Sequence, residues 1–84
     1  MKGFIDRVDI SLLTVRRQDI LHSLYNNQLT LSGIAEQVEE PPSLVYDNIQ
    51  VLRAIKLILK DDNKVYSLTE KGNNLVRKLR EINR

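Results

Sequence analysis

The 84-residue sequence predicts a mainly α domain with one β-hairpin, an α+β architecture. Three observations lead there. Thr14, Thr30 and Thr69 each stand as a capping residue ahead of apolar residues at helical spacing. Pro41 and Pro42 cannot continue a helix but suit the first turn of a new one. After Ile55 the apolar period changes to short runs rich in branched and aromatic residues, the composition of strands.

Residues 1–13 fit two periods. Phe4, Ile5, Val8 and Leu12 suit a helix, whereas Val8, Ile10 and Leu12 suit a strand; the helix is preferred. The next helix runs from the Thr14 cap to about Asn26, with Ile20, Leu21, Leu24 and Tyr25 at helical spacing. Asn26-Asn27 then tolerates the left-handed backbone that ends helices. Thr30 caps a short helix reaching about Glu39, in which Leu29 and Ile34 form a hydrophobic staple. Ala35 is small enough to let another helix approach, and Ile34 and Val38 flank it on that side. A third helix follows almost at once over residues 42–55. Leu44, Val45, Ile49, Leu52 and Ile55 form its apolar stripe, leaving Ser43, Tyr46, Asp47 and Gln50 outward. So short a connection forces a sharp crossing, and residues 30–56 read as a helix-turn-helix. Ile58–Lys60 and Lys64–Leu68 are the strands of a hairpin, about 57–68, turned by Asp61-Asp62-Asn63. Thr69 caps a last helix, about 69–84, with Glu70 favourably placed against its dipole. Its stripe is Leu75, Val76, Leu79 and Ile82.

Size and composition narrow the function classes. The chain suits one domain, 1–84, because independent cores rarely divide below about 50 residues. Hydrophobic residues at 42% and charged residues at 29% describe an ordinary globule and not a disordered chain. Without cysteine there is no disulfide, thiolate nucleophile or cysteine metal site, and the one histidine, His22, has no ligand partner at a metal-binding spacing. No apolar run approaches the ~20 residues of a membrane span and no signal-peptide segment is seen, so a cytoplasmic, nucleoid-associated location is expected. No carboxylate pair, glycine-rich phosphate loop or nucleophile–base arrangement supports catalysis, so an enzyme is not expected. Neither a cofactor nor a small-molecule effector is evident. The net charge of +2 is small but uneven. Residues 28–40 hold Glu36, Glu39 and Glu40 and no cation, while 69–84 hold Lys71, Arg77, Lys78, Arg80 and Arg84 against Glu70 and Glu81. A cationic chain end either draws a polyanion or is simply solvated.

Three stretches carry a family resemblance: "LTLSGIAEQV" (29–38), "SLVYDNIQVLRAIKLI" (43–58) and "VYSLTEKG" (65–72). In that order they resemble the small winged helix-turn-helix regulators of bacteria and archaea, of the ArsR, PadR and MarR type. The first is similar to their second helix, with Ala35 at the close-packing position. The second is similar to their recognition helix and first wing strand, with Val45, Ile49, Leu52, Leu57 and Ile58 at the apolar positions. The third resembles the second wing strand and its Tyr-x-Leu-Thr-x-x-Gly passage into the final helix. The resemblance covers residues 14–72. It implies double-stranded DNA as partner, a homodimer, helix 42–55 in the major groove, and the 58–68 hairpin near the backbone or minor groove. The chain departs from the pattern at Asp47, where an arginine or lysine is frequent, at Glu39 in place of a turn glycine, and at the acidic wing tip.

The candidate DNA contacts are Ser43, Tyr46, Asp47, Gln50 and Arg53 on the helix, Arg16 and Arg17 ahead of it, and Lys60 and Lys64 on the wing. Glutamine pairs bidentately with adenine, serine and tyrosine donate to phosphate, and aspartate accepts from the cytosine amino group. Four of these have a plainer alternative. Asp47 pairs with Arg53 or Lys56 or stays in water, Tyr46 packs beside the turn, and Arg16 with Arg17 is a solvated pair. Tyr66 is expected to anchor the wing to the body. The candidate dimer surface is Phe4, Ile5 and Val8 with Leu75, Val76, Leu79 and Ile82, terminal apolar residues that so small a core does not cover. The expected function is a sequence-specific, dimeric transcription repressor. The alternative, favoured by the acidic helix-turn-helix, is a protein-interaction module in a larger complex.

Overall fold

Each of the three threonine caps begins its helix in the computed structural model, which describes residues 12–82. Thr14 Oγ1 accepts from the Arg17 amide at 3.3 Å and opens α1, Val15–Ser23. The helix closes earlier than its apolar spacing suggests. The amides of Leu24 and Tyr25 bond three residues back, to Leu21 and His22 at 3.1 Å, so the last turn tightens and Asn26 takes a left-handed φ of 57°.

Leu29–Thr30 is a short strand, β1, where the sequence suggests only a staple and a cap. Its two residues pair antiparallel with Tyr66 and Val65. Two-residue strands carry no period of their own, so this pairing is visible only once the partner strand is in place. Thr30 then caps α2, Leu31–Val38, accepting from the Gly33 amide at 3.2 Å. Helix α3, Pro42–Ala54, has no side-chain cap, and proline occupies its first position. The hairpin is β2, Ile58–Lys60, against β3, Val65–Leu68, and the three strands lie in the order β1-β3-β2. Asp61 holds the turn through Oδ1, which accepts from the amides of Asn63 at 2.8 Å and Val65 at 3.0 Å, while Lys64 takes the left-handed backbone.

Helix α4, Glu70–Ile82, starts at Thr69, whose hydroxyl accepts from the Gly72 amide at 2.9 Å and donates to the Lys56 carbonyl at 2.7 Å. Gly72 is buried against the Leu57 carbonyl with no space for a Cβ. That close approach is the physical content of the Thr-x-x-Gly passage. The core gathers Ile20, Leu21, Ile34, Val45, Ile49, Leu52, Leu57 and Val76, all fully buried. Burying such a side chain contributes about 1.5–3 kcal/mol each before entropy opposes it. Tyr66 is 2% exposed and packs in this core, so the wing is anchored to the body as expected. No described helix is long and apolar enough to cross a membrane.

Candidate nucleic-acid interface

Helix α3 is built with two faces. Val45, Ile49 and Leu52 are fully buried, and this fixes which residues face out. Ser43, Tyr46, Asp47, Gln50 and Arg53 are all exposed, so the structure brings the five helix candidates onto one outer surface. Three of them are linked. Gln50 Nε2 donates to the Tyr46 hydroxyl at 3.2 Å, and Arg53 Nη1 donates to Gln50 Oε1 at 3.3 Å. Both ends of the Gln50 amide are therefore occupied by neighbours, and a bidentate adenine contact exchanges these two exposed bonds for base-edge ones. The Tyr46 hydroxyl, accepting from Gln50, keeps its own proton to donate outward.

Asp47 is exposed beside an open groove that it lines with Thr14, Arg16, Arg17, Asp19 and Glu40. Pairing with Arg53 or Lys56 is not seen. Among the described residues the one ion pair is Arg16 with Glu40, at 3.5 Å. Arg17 behaves differently from its neighbour. Its part-buried guanidinium donates from Nε to Asn48 Oδ1 at 2.8 Å and from Nη1 to the Leu12 carbonyl at 3.0 Å. Arg17 is therefore turned inward, while Arg16 stays exposed within its ion pair.

The wing supplies the remaining candidates. Lys60 and Lys64 are exposed, and the Lys60 ammonium lies 5.7 Å from the centre of the Tyr66 ring. Between α3 and β2 runs a groove of about 440 Å³, lined by Gln50, Arg53, Ala54, Lys56, Ile58, Leu59, Lys60 and Thr69. It contains three cations and no carboxylate. Lys56 and Leu59 are not among the contacts expected from the sequence, because Lys56 falls between helix and strand and Leu59 is an apolar strand residue. Lys56 is set at the groove by a left-handed backbone, φ 65°, and Leu59 is 56% exposed on the outward position of β2.

The described members of the candidate dimer set differ in exposure. Phe4, Ile5 and Val8 lie outside the described residues. Val76 is fully buried within the chain's own core and so belongs to no outer stripe, because the α4 face that carries it packs inward from Gly72. Leu75 and Leu79 are half-buried and Ile82 is 76% exposed. Of the cations on this helix, Arg80 stacks over the Tyr25 ring at 4.6 Å and Lys71 Nζ lies 3.5 Å from the Ile55 carbonyl. Among the described residues there is no group of acidic, histidine or cysteine side chains suited to a metal ion.

Comparison with known proteins gives the same architecture. The family profile described as winged helix-turn-helix matches residues 15–84. No curated protein matches the chain. Among solved structures, ZitR of Lactococcus lactis is 29% identical with a TM-score of 0.73, covering 79% of this chain and 47% of its own. BpsR of Bordetella bronchiseptica, whose DNA binding is regulated by 6-hydroxynicotinic acid, is 26% identical with a TM-score of 0.72. That match covers 86% of this chain and 56% of BpsR. The MarR family transcriptional regulator SPO1453 of Silicibacter pomeroyi, at 20% identity and a TM-score of 0.77, matches 92% of this chain and 58% of its own, and shows the shared fold. The matched region thus spans about half the length of each of these three structures.

Proposed function

Since the chain belongs to the winged helix-turn-helix family, we propose that it is a sequence-specific, double-stranded-DNA-binding transcription regulator acting as a dimeric repressor at the nucleoid in the cytoplasm. The observation that carries this reading is the outer face of α3, where Ser43, Tyr46, Asp47, Gln50 and Arg53 are exposed on a helix whose opposite face is buried. In the proposed complex this helix lies in the major groove and the β2–β3 hairpin follows the backbone. Ser43 and Tyr46 donate to phosphate or base edge, Gln50 reads adenine, Asp47 accepts from cytosine, and Arg53, Lys60 and Lys64 meet phosphates. The likeness to BpsR, a protein that binds DNA, supports the assignment by similarity. Leu75, Leu79 and Ile82, with Phe4, Ile5 and Val8, are proposed as the surface that joins two copies.

A mobility-shift titration of the protein against random duplex, at low and then moderate salt, tests the proposal. Each neutralised phosphate releases counterions, so the logarithm of affinity falls by about 0.9 per phosphate for each tenfold rise in salt. Steep weakening is the expected result. No binding to duplex even at low salt removes the DNA reading. It would favour a protein-interaction module, to which the acidic residues 28–40 and the wing-tip aspartates are better suited.

A further inference from the structure

We propose that Arg17 is a positioning residue for the recognition helix, acting through Asn48, and not a phosphate contact. The inference rests on the DNA-binding reading above and goes beyond it by assigning a residue pair that sets how α3 is presented. Four groups form one relay. Arg17 Nη1 donates to the Leu12 carbonyl, at 3.0 Å, and Nε donates to Asn48 Oδ1, at 2.8 Å. Asn48 Nδ2 in turn donates to the Leu44 carbonyl at 2.8 Å. The arginine so spans from the main chain ahead of α1 to the middle of α3, 31 residues away in sequence.

Three features make this a setting device. First, the guanidinium is planar, and its Nε and Nη1 donors are directed differently, so both bonds hold only at one rotation of α3 against α1. Second, Asn48 directly follows Asp47 and lies one helical turn from Leu44, between the buried positions Val45 and Ile49 and the outward face. A small rotation at Asn48 therefore moves Asp47, Tyr46 and Gln50 together relative to a groove. Third, the Leu12 end of the relay is itself held. Leu13 is 6% exposed in the core, and Gln18 Nε2 donates to its carbonyl at 2.8 Å. The helix is thus referred to a fixed point and not to a free strand end. Arg16, one residue earlier, has no part in this, since it pairs with Glu40.

The test compares wild type with Arg17→Ala, Arg17→Lys, Asn48→Ala and the Arg17→Ala/Asn48→Ala double variant. Each is titrated over a salt series on the duplex that wild type enriches from a random pool, and on random duplex. Thermal melting of each variant confirms that the folded form is being titrated. Positioning predicts that every variant loses about tenfold on the enriched duplex, with random-duplex affinity and the salt slope unchanged, and that the double variant loses no more than either single one. Arg17→Lys, which keeps the charge but not the directed pair of donors, loses as Arg17→Ala does. A phosphate contact gives the opposite pattern: Arg17→Ala lowers the slope by about one unit on both duplexes, Arg17→Lys restores it, and Asn48→Ala is inert. That pattern overturns the inference while leaving DNA binding in place. Variants that melt lower yet bind both duplexes like wild type overturn it too, making the relay a stability contact only. A wild-type protein that enriches no duplex removes the DNA reading, and the positioning role with it.

Discussion

Helices α3 and α4 are both 13 residues long and amphipathic, yet they are held in opposite ways. Helix α3 is seated along its whole length. Val45, Ile49 and Leu52 span its turns at zero exposure, Arg17 grips it at Asn48, and its ends are fixed by left-handed residues, Glu39 before it and Lys56 after it. Helix α4 is seated only near its start and middle, at Gly72 and Val76, and its exposure then rises to the open Ile82. The difference suits the two roles proposed for them. A helix that must present a fixed constellation of polar groups is over-determined by its surroundings, because a misplaced reading face loses its contacts together. A helix whose outer half keeps apolar surface uncovered has binding area left to give.

The comparison breaks most easily at the seat of α4. Gly72→Ala puts a Cβ onto the Leu57 carbonyl, a backbone atom that cannot swing aside, at the junction where α3 passes into β2. A loss of about 3 kcal/mol is expected by urea unfolding, at the upper end for overpacking. A loss below about 1 kcal/mol would mean that α4 can lift from the body without disturbing α3.

The outer face of α3 sharpens the comparison from the other side. Gln50→Ala should cost roughly 1–3 kcal/mol on the preferred duplex and little on random DNA. Asp47→Ala should raise affinity for random DNA and narrow the gap between the two, because a carboxylate in the groove repels phosphates that offer it no donor. Both side chains are exposed, so stability should move by only about 0.5 kcal/mol. Paired isotherms at one fixed salt decide. Isotherms that do not move for either variant would leave α3 well seated but not a reading head.

For α4 the corresponding change is Leu79→Glu with Ile82→Glu. Since one residue is half-buried and the other 76% exposed, the folded protomer should lose less than about 1 kcal/mol. The expected effect is on assembly: light scattering should show a dimer for the wild type and a monomer for the variant. A wild type that runs as a monomer at high micromolar concentration removes the dimer and leaves Ile82 as an isolated exposed residue.

The features legible in the sequence are those written in local chemistry. Threonine caps, the paired prolines and the change of period after Ile55 each place an element, and the apolar spacing of α3 sorts its inner from its outer face. What escapes depends on residues far apart in the chain. β1 exists only because β3 lies beside it, and the roles of Arg17 and Asn48 need α1 packed against α3. Val76 illustrates the limit on α4, where a stripe read from spacing does not say which of its members meets the core and which meets solvent. A signal for Asn48 was nonetheless present. Asparagine favours turns and caps over helix interiors, so one in mid-helix beside a buried position invites a search for its partner.

The smallest effect concerns the left-handed turn that leads into α3. Glu39 sits at φ 59°, ψ 47°, closing α2. For a residue with a Cβ this conformation costs about 1–2 kcal/mol, and glycine is free of that cost. Glycine also gives the unfolded chain more freedom, which takes back roughly 0.5–1 kcal/mol. The Glu39 side chain is exposed, and the ion pair at this turn belongs to its neighbour Glu40. Glu39→Gly should therefore raise stability by about 0.5 kcal/mol, or a few degrees in Tm. Glu39→Ala is the control, because alanine keeps the Cβ and gains nothing. It also isolates the charge, since both variants remove one negative group from the turn that leads into the proposed reading helix. Equal gains in duplex affinity for the two variants, with stability raised in glycine alone, would assign strain and charge to separate causes. If glycine instead lowers stability, the turn is not strained at Glu39, and the over-determination of α3 comes from packing and the Arg17 relay without it.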